Sequence, residues 1–164
     1  MKGTLQKLLD TLPQVGKVEW IGIRPARKVS MSSVTEVQAT RAQGLNGDRY
    51  AGSSGNRHVT LIQAEHLPVV ASCLGQESIS PELLRRNIVV SGINLLALKD
   101  KDIQIGSVVL RVTGLCHPCS RMETQLGPGG YNALRGHGGI TAKVLTDGSI
   151  KLGDGVRMET AATS

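Results

Sequence analysis

The segment Leu115-Cys116-His117-Pro118-Cys119-Ser120-Arg121-Met122-Glu123 gathers two of the chain's three cysteines beside an imidazole, a guanidinium and a carboxylate. Four chemistries suit such a set. A Cys-x-x-Cys pair is half of a zinc site, but a closed structural site needs two further ligands. Cys73 and the scattered histidines offer none at ligand spacing. The pair also has the form of a thioredoxin-like redox motif, which works at the start of a helix in a βαβ unit. Here Pro128 and a run of glycines leave little room for a long helix. Inert thiols at a strand end are the third reading. In the fourth, Cys119 is an accessible thiolate that carries sulfur or ligates a soft metal, with His117 or Arg121 as the cation that favours its charged form. The glycine-rich stretches at 127–130 and 136–139 read as loops that face something bound.

Short elements must position these groups. Leu5, Leu8, Leu9 and Leu12 follow helical spacing, so 4–12 is predicted as an amphipathic helix stopped by Pro13. From Lys17 the period becomes two. Val18, Trp20 and Gly22 share one face of a strand, and Lys17, Glu19 and Ile21 the other. Residues 26–33 read as an exposed loop, and 34–41 as a second strand. Gly44-Leu45-Asn46-Gly47-Asp48-Arg49 reads as a tight turn with a local Asp48–Arg49 pair. A strand over 57–62 hands over to a helix over 63–74 that ends at Gly75. On that helix His66 is expected at the surface and Cys73 as a small buried hydrophobe.

Ser80-Pro81 starts a short helix, and 87–90 returns to extended chain. Arg85-Arg86 is either a solvated pair or a phosphate clamp, since guanidinium matches phosphate bidentately. A hairpin is expected around Gly106-Ser107, its second strand leading into the cysteines. The last meander runs 140–145, 150–152 and 156–158, with hairpin signals at Asp147-Gly148 and Asp154-Gly155. Together these predict a mainly β domain, a closed or partly open barrel of about seven or eight strands with two or three short helices. The expected layout is a helix and lead-in over 1–16, one barrel domain over 17–158 and a polar tail over 159–164.

Composition narrows the partners. The net charge is +6, which suits an anionic or phosphate-bearing ligand. Single-strand readers stack bases on aromatics, and the chain has no Phe, one Trp and two Tyr, which argues against nucleic acid. No apolar run approaches the ~20 residues of a membrane span. An odd cysteine count gives no closed disulfide framework, and free thiols point to a reducing, cytoplasmic setting.

Several segments resemble the MOSC family, the domain at the C-terminus of molybdenum cofactor sulfurases. They are GLNGDR at 44–49, RHVTLI at 57–62, ELLRRNIVVSGIN at 82–94, the Pro-Cys of LCHPC at 115–119 and LRGHGGITAKVLTDGSIKLGDGV at 134–156. The resemblance implies a β-barrel that binds the molybdenum–pterin cofactor. In the sulfurases this module receives sulfur from a cysteine desulfurase domain and passes it to molybdenum. In amidoxime-reducing relatives the family cysteine ligates molybdenum, and the protein reduces N-hydroxylated compounds with a partner's electrons. A non-enzymatic cofactor carrier is a further possibility, and a CxxC thiol redox protein a distant one. Cys119 falls on the family cysteine, the sulfur carrier or metal ligand. Cys116, His117 and Arg121 accompany it as catalytic candidates. Arg85, Arg86 and Asn87 fall on the arginine–asparagine element, and Asp48 and Arg49 on the GDR turn. With Arg57 and the backbone of Gly138 and Gly139, they are the expected cofactor-binding residues. A cysteine desulfurase or a molybdoenzyme is the implied partner, and pyridoxal phosphate, often associated with the family, would belong to the desulfurase. Cys116 and His117 depart from the family pattern and admit disulfide or persulfide-resolving chemistry.

Overall fold

A computed structural model describes residues 3–49 and 54–159. Among the described residues, eleven strands and five short α-helices are interspersed along the chain. Seven strands close a barrel: β1 (Gly16–Ile23), β6 (Ile88–Ser91), β5 (Val59–Gln63), β9 (Ile140–Val144), β8 (Val108–Leu115), β7 (Asp102–Ile105) and β11 (Gly155–Met158), which returns to β1. An extra strand, β2 (Ser32–Val34), pairs with β1 on its outer side. A small second sheet joins β10 (Gly148–Lys151), β3 (Glu36–Thr40) and β4 (Gly44–Leu45). Its Val37, Ala39, Leu45 and Ile150 enter the same aliphatic core as the barrel strands.

The expected mainly β barrel is therefore present, with five helices instead of two or three. Several local readings change. Ile21, assigned to the polar face of β1, is fully buried in the core. The register of β1 against β6 shifts between Val18 and Trp20, and such an irregularity reverses the inside–outside alternation beyond it. Trp20 consequently packs outside the barrel, against a second apolar cluster. The final meander is also not a set of sequential hairpins. β10 pairs with β3, and β11 pairs with β7 and β1, although Asp147-Gly148 and Asp154-Gly155 carry hairpin chemistry. Asp147 instead accepts the N–H of Arg41 at 2.8 Å, tying the two sheets' connections together.

β5 and β6 form the one parallel pair among the described strands, and their side chains are buried on both faces. Leu61, Ile88 and Val90 point into the barrel. Ile62 and Val89 point outward, under α2 (His66–Cys73), α3 (Pro81–Leu84), α4 (Ser120–Leu126) and α5 (Gly130–Leu134). This helical layer carries the cysteine stretch, which runs from the end of β8 into α4. Helix α2 is shorter than expected, and Cys73 at its end is exposed, not buried. Helix α1 (Thr4–Leu9) buries no residue, and the 2.6 Å Lys101–Asp10 ion pair just beyond it anchors this end of the chain.

Candidate functional site

Asn87, entirely buried, is the joint on which the site is built. Its Oδ1 accepts the Thr60 N–H at 3.0 Å and the Thr60 hydroxyl at 3.1 Å, and its Nδ2 donates to Gly22 O at 3.1 Å and Asp48 Oδ1 at 3.2 Å. Asp48 in turn accepts the Arg24 N–H at 2.7 Å and the Arg24 guanidinium at 3.2 and 3.0 Å. The expected local Asp48–Arg49 pair is thus replaced by a long-range one. Asn87 and Asp48 spend their hydrogen-bonding capacity within the protein, locking β1, β5 and the Gly44–Arg49 turn together. They hold neighbouring elements in place.

Those neighbours form a cleft of about 720 Å³ lined by six arginines: Arg24, Arg27, Arg49, Arg57, Arg85 and Arg121. No acid lines it among the described residues, and only Arg24 makes an ion pair with a described acid. Arg85 ends α3 in the left-handed region, at φ 57, and donates to Val29 O at 2.9 Å. Burial, then the nearby charges of Arg121 and Arg24, hold its guanidinium below the usual arginine range, while Asp48 and Cys119 act against that shift.

Arg86 points elsewhere, so the two arginines are not the side-by-side clamp their adjacency suggested. It is 6% exposed and donates through Nε to Gly138 O at 2.8 Å and through Nη1 to Leu84 O at 3.0 Å. Its Nη2 is buried with no hydrogen-bond partner. Burial lowers its pKa most, and the charges of Cys116 and Cys119 oppose that effect.

The two cysteines have different surroundings. Cys116 is 3% exposed, its N–H donates to Gly139 O at 2.8 Å, and its Sγ lies 3.9 Å from Nη2 of Arg57. Cys119 is exposed at the N-cap of α4, beside the cleft but outside its lining. Arg121 brings the adjoining turn of α4 into the cleft wall.

A second cavity, of about 360 Å³, opens on the other side of Cys116. Gln63, His66, His117 and His137 line it with Leu95, Leu96, Leu115 and Ile140, and among the described residues no Asp, Glu, Lys or Arg does. The rings of His66 and His137 meet edge-to-face at 5.0 Å. Burial, then His137, lowers the His66 pKa, with Glu65 opposing. Nδ1 of His137 is buried without a partner. His117, one of the catalytic candidates, is exposed and faces this cavity, not the arginines.

Within the glycine-rich stretches Gly138 and Gly139 are closely packed, whereas Gly127, Gly129 and Gly136 face open space. A Cβ on Gly138 would stand 2.1 Å from Cys116 O, and one on Gly139, at φ +90, 1.9 Å from Leu61 O. In the 127–130 stretch the Gly129 N–H is already taken: it and the Tyr131 N–H each donate to Glu123 at 3.0 Å. Those two bonds, Tyr131's first, keep the Glu123 carboxylate below its usual range. No group of three or more His, Cys, Asp or Glu able to hold a metal occurs among the described residues, so the zinc reading finds no further ligands. Arg24 and Arg27 were missed as site residues. The available signal was Asp48, an acid in a turn that needs a cation once it is buried.

The comparisons with known proteins agree with this architecture. The MOSC domain family matches residues 27–157. Among solved structures the chain is similar to the YuaD protein of Bacillus subtilis, at TM-score 0.76 and 20% identity over 89% of this chain and 97% of that one. It is similar to YiiM of Geobacillus stearothermophilus, at TM-score 0.73 and 15% identity over 90% of this chain and 77% of that one. YiiM of Escherichia coli follows at TM-score 0.68 and 15% identity, over 90% and 72%. No curated protein matches. The structural likenesses establish the barrel fold, and the family match over most of the chain establishes its kinship: this chain belongs to the MOSC domain family.

Proposed function

We propose that the chain binds the molybdenum–pterin cofactor at the arginine cleft and that Cys119 carries sulfur to it. The observation that carries this reading is the cleft itself, six arginines without an acid in the lining among the described residues. Such a surface suits a phosphate, because guanidinium groups donate paired hydrogen bonds to phosphate oxygens. Arg49, Arg57, Arg85 and Arg121 would hold the anionic groups, with Arg24 fixed in place by Asp48. When bound, the cofactor supplies a thiophilic molybdenum centre. Within the chain, Asn87 and Asp48 set the floor, the arginines orient the anion, and Cys119 offers a soft sulfur at the cleft's edge.

The exposure of Cys119 favours carriage over permanent metal ligation, since a carrier must first meet its donor. The donor class is a cysteine desulfurase. No lysine lines the cleft among the described residues, so Schiff-base chemistry with pyridoxal phosphate belongs to that partner.

The test combines two readouts on protein made in a molybdenum-replete host. Wild type retains molybdenum and phosphorus, and Arg49→Ala/Arg57→Ala/Arg85→Ala loses both. After incubation with a cysteine desulfurase and cysteine, Cys119 alone gains one sulfur atom by mass spectrometry. Retention of the cofactor by the triple variant refutes the cleft. Loss of molybdenum in Cys119→Ala, with no sulfur gained by wild type, replaces carriage by ligation.

A further inference from the structure

Cys116 has no place in that reading, and its surroundings are unusual for filler. It is buried, three residues before an exposed cysteine, and its main chain is fixed by Gly139. Arg57 Nη2 stands 3.9 Å from its sulfur on the side of the arginine cleft. Across Gly138 lies Arg86, buried, donating through Nε to Gly138 O at 2.8 Å and holding one Nη2 that no described group accepts; a Cβ on Gly138 would meet both Cys116 O, at 2.1 Å, and that Nη2, at 3.4 Å. A buried donor without an acceptor is costly in a native protein. Here it has a use if negative charge develops on a neighbouring sulfur during a reaction.

We infer that Cys116 is the resolving thiol for a persulfide on Cys119. This rests on the sulfur-carrier reading and adds a way for the carrier to discharge when no acceptor is bound. The Cys116 sulfur attacks the inner, Cys119 sulfur of Cys119–S–SH. A bond forms between the two cysteine sulfurs as the bond to the outer sulfur breaks. The electron pair leaves with the outer sulfur, which takes the Cys116 thiol proton and departs as hydrogen sulfide. No external oxidant is needed, because the persulfide supplies the oxidising equivalents. A small thiol returns the Cys116–Cys119 disulfide to the dithiol by exchange.

Three features suit the step. The thiols are separated by two residues along the chain, so a turn of that short segment is all the movement a disulfide requires of the backbone. Burial shields Cys116 from external thiols and oxidants, so its accessible partner is the one tethered beside it. Arg86 and Arg57 supply donors to the charge that spreads over the attacking and leaving sulfurs. Cys73, exposed at the end of α2, stands on a different element.

The experiment uses the full chain with Cys73→Ser, so that two thiols remain, and inorganic polysulfide as the sulfur source. Intact-mass and peptide mapping follow the protein while released sulfide is titrated. The parent gains one sulfur on Cys119, then loses it with one equivalent of sulfide and a Cys116–Cys119 linked peptide. With Cys116→Ser or Cys116→Ala the persulfide persists, and sulfide release slows at least about ten-fold. Arg86→Lys, which keeps a cation without the planar fork, slows discharge. A persulfide that forms and survives in the parent as long as in the Cys116 variants overturns this step and leaves the carrier reading standing. Failure of Cys119 to take up sulfur at all overturns both. The linked peptide is sought in the parent protein, so poor folding of a variant does not protect the proposal.

Discussion

The cleft and the cavity on either side of Cys116 are neighbours with opposite chemistry. One is lined by six arginines, the other by three histidines, a glutamine and aliphatic walls. The difference comes from how the elements end. β1, α3 and the start of β5 stop with Arg24, Arg85 and Arg57 on one side. The connection around Gly136–Gly139 brings three glycines and the His137 ring to the other. Glycine lets the 136–139 segment lie against Cys116 and Leu61 so closely that no side chain fits between them. The wall separating the two spaces is therefore thin, and Cys116 is part of it.

The sharpest way to break the contrast is to remove its joint. Asn87→Ala deletes four hydrogen bonds and leaves the buried Asp48 carboxylate and the Thr60 N–H short of partners. We expect a loss of about 3–5 kcal/mol in urea unfolding, together with loss of anion binding at the cleft. Next in size, each of Arg49, Arg57 and Arg85 changed to Ala should weaken the binding of inorganic pyrophosphate by about ten-fold or more, from one charge-assisted contact each. Calorimetry at two salt concentrations checks it, because screening should shrink the difference. Gln63→Leu, on the neutral side, should leave pyrophosphate affinity unchanged, and an equal loss there would erase the distinction between the two spaces.

The smallest effect is a pH slope. His66 and His58 both have pKa values lowered by burial, with His137 and Lys143 respectively as the next cause. The unfolded chain therefore binds protons first as pH falls below the ordinary histidine value of 6.5. Stability should decline as pH drops from 6.5 toward the depressed folded-state values, then level off. Melting temperatures across that range should show the slope, and His66→Gln should flatten it in part. A slope unchanged in His66→Gln would mean that the neutral cavity does not disfavour its own protonation.

The barrel and most of its strands were legible because aliphatic alternation and Gly-punctuated turns are local signals. What escaped were features set by distant partners. Ile21 reads as outward by strict alternation, and only the register shift against β6 brings it inside. Asp147-Gly148 has hairpin chemistry, yet β10 finds β3 from more than a hundred residues away. Cys119, Arg57, Arg85 and Arg121 were found at the cleft or its edge, because soft and cationic groups announce themselves by type. Asp48, Asn87, Gly138 and Gly139 stand out in the sequence, but their packing and hydrogen bonds are set by residues distant in the chain. Their neighbours in space, Arg24, Thr60, Cys116 and Leu61, explain them, and none is a neighbour in the chain.

The seam where β1 meets β11 has a consequence for construction. Only two residue pairs close the ring there, Gly16 with Val156 and Lys17 with Gly155, whereas neighbouring strands share longer ladders. These four residues lie at opposite extremes of the described chain, so the cylinder is shut like a clasp whose halves arrive first and last. A covalent tether across that clasp would shorten the search for closure, making this the natural place to splice the ends and recut the chain elsewhere.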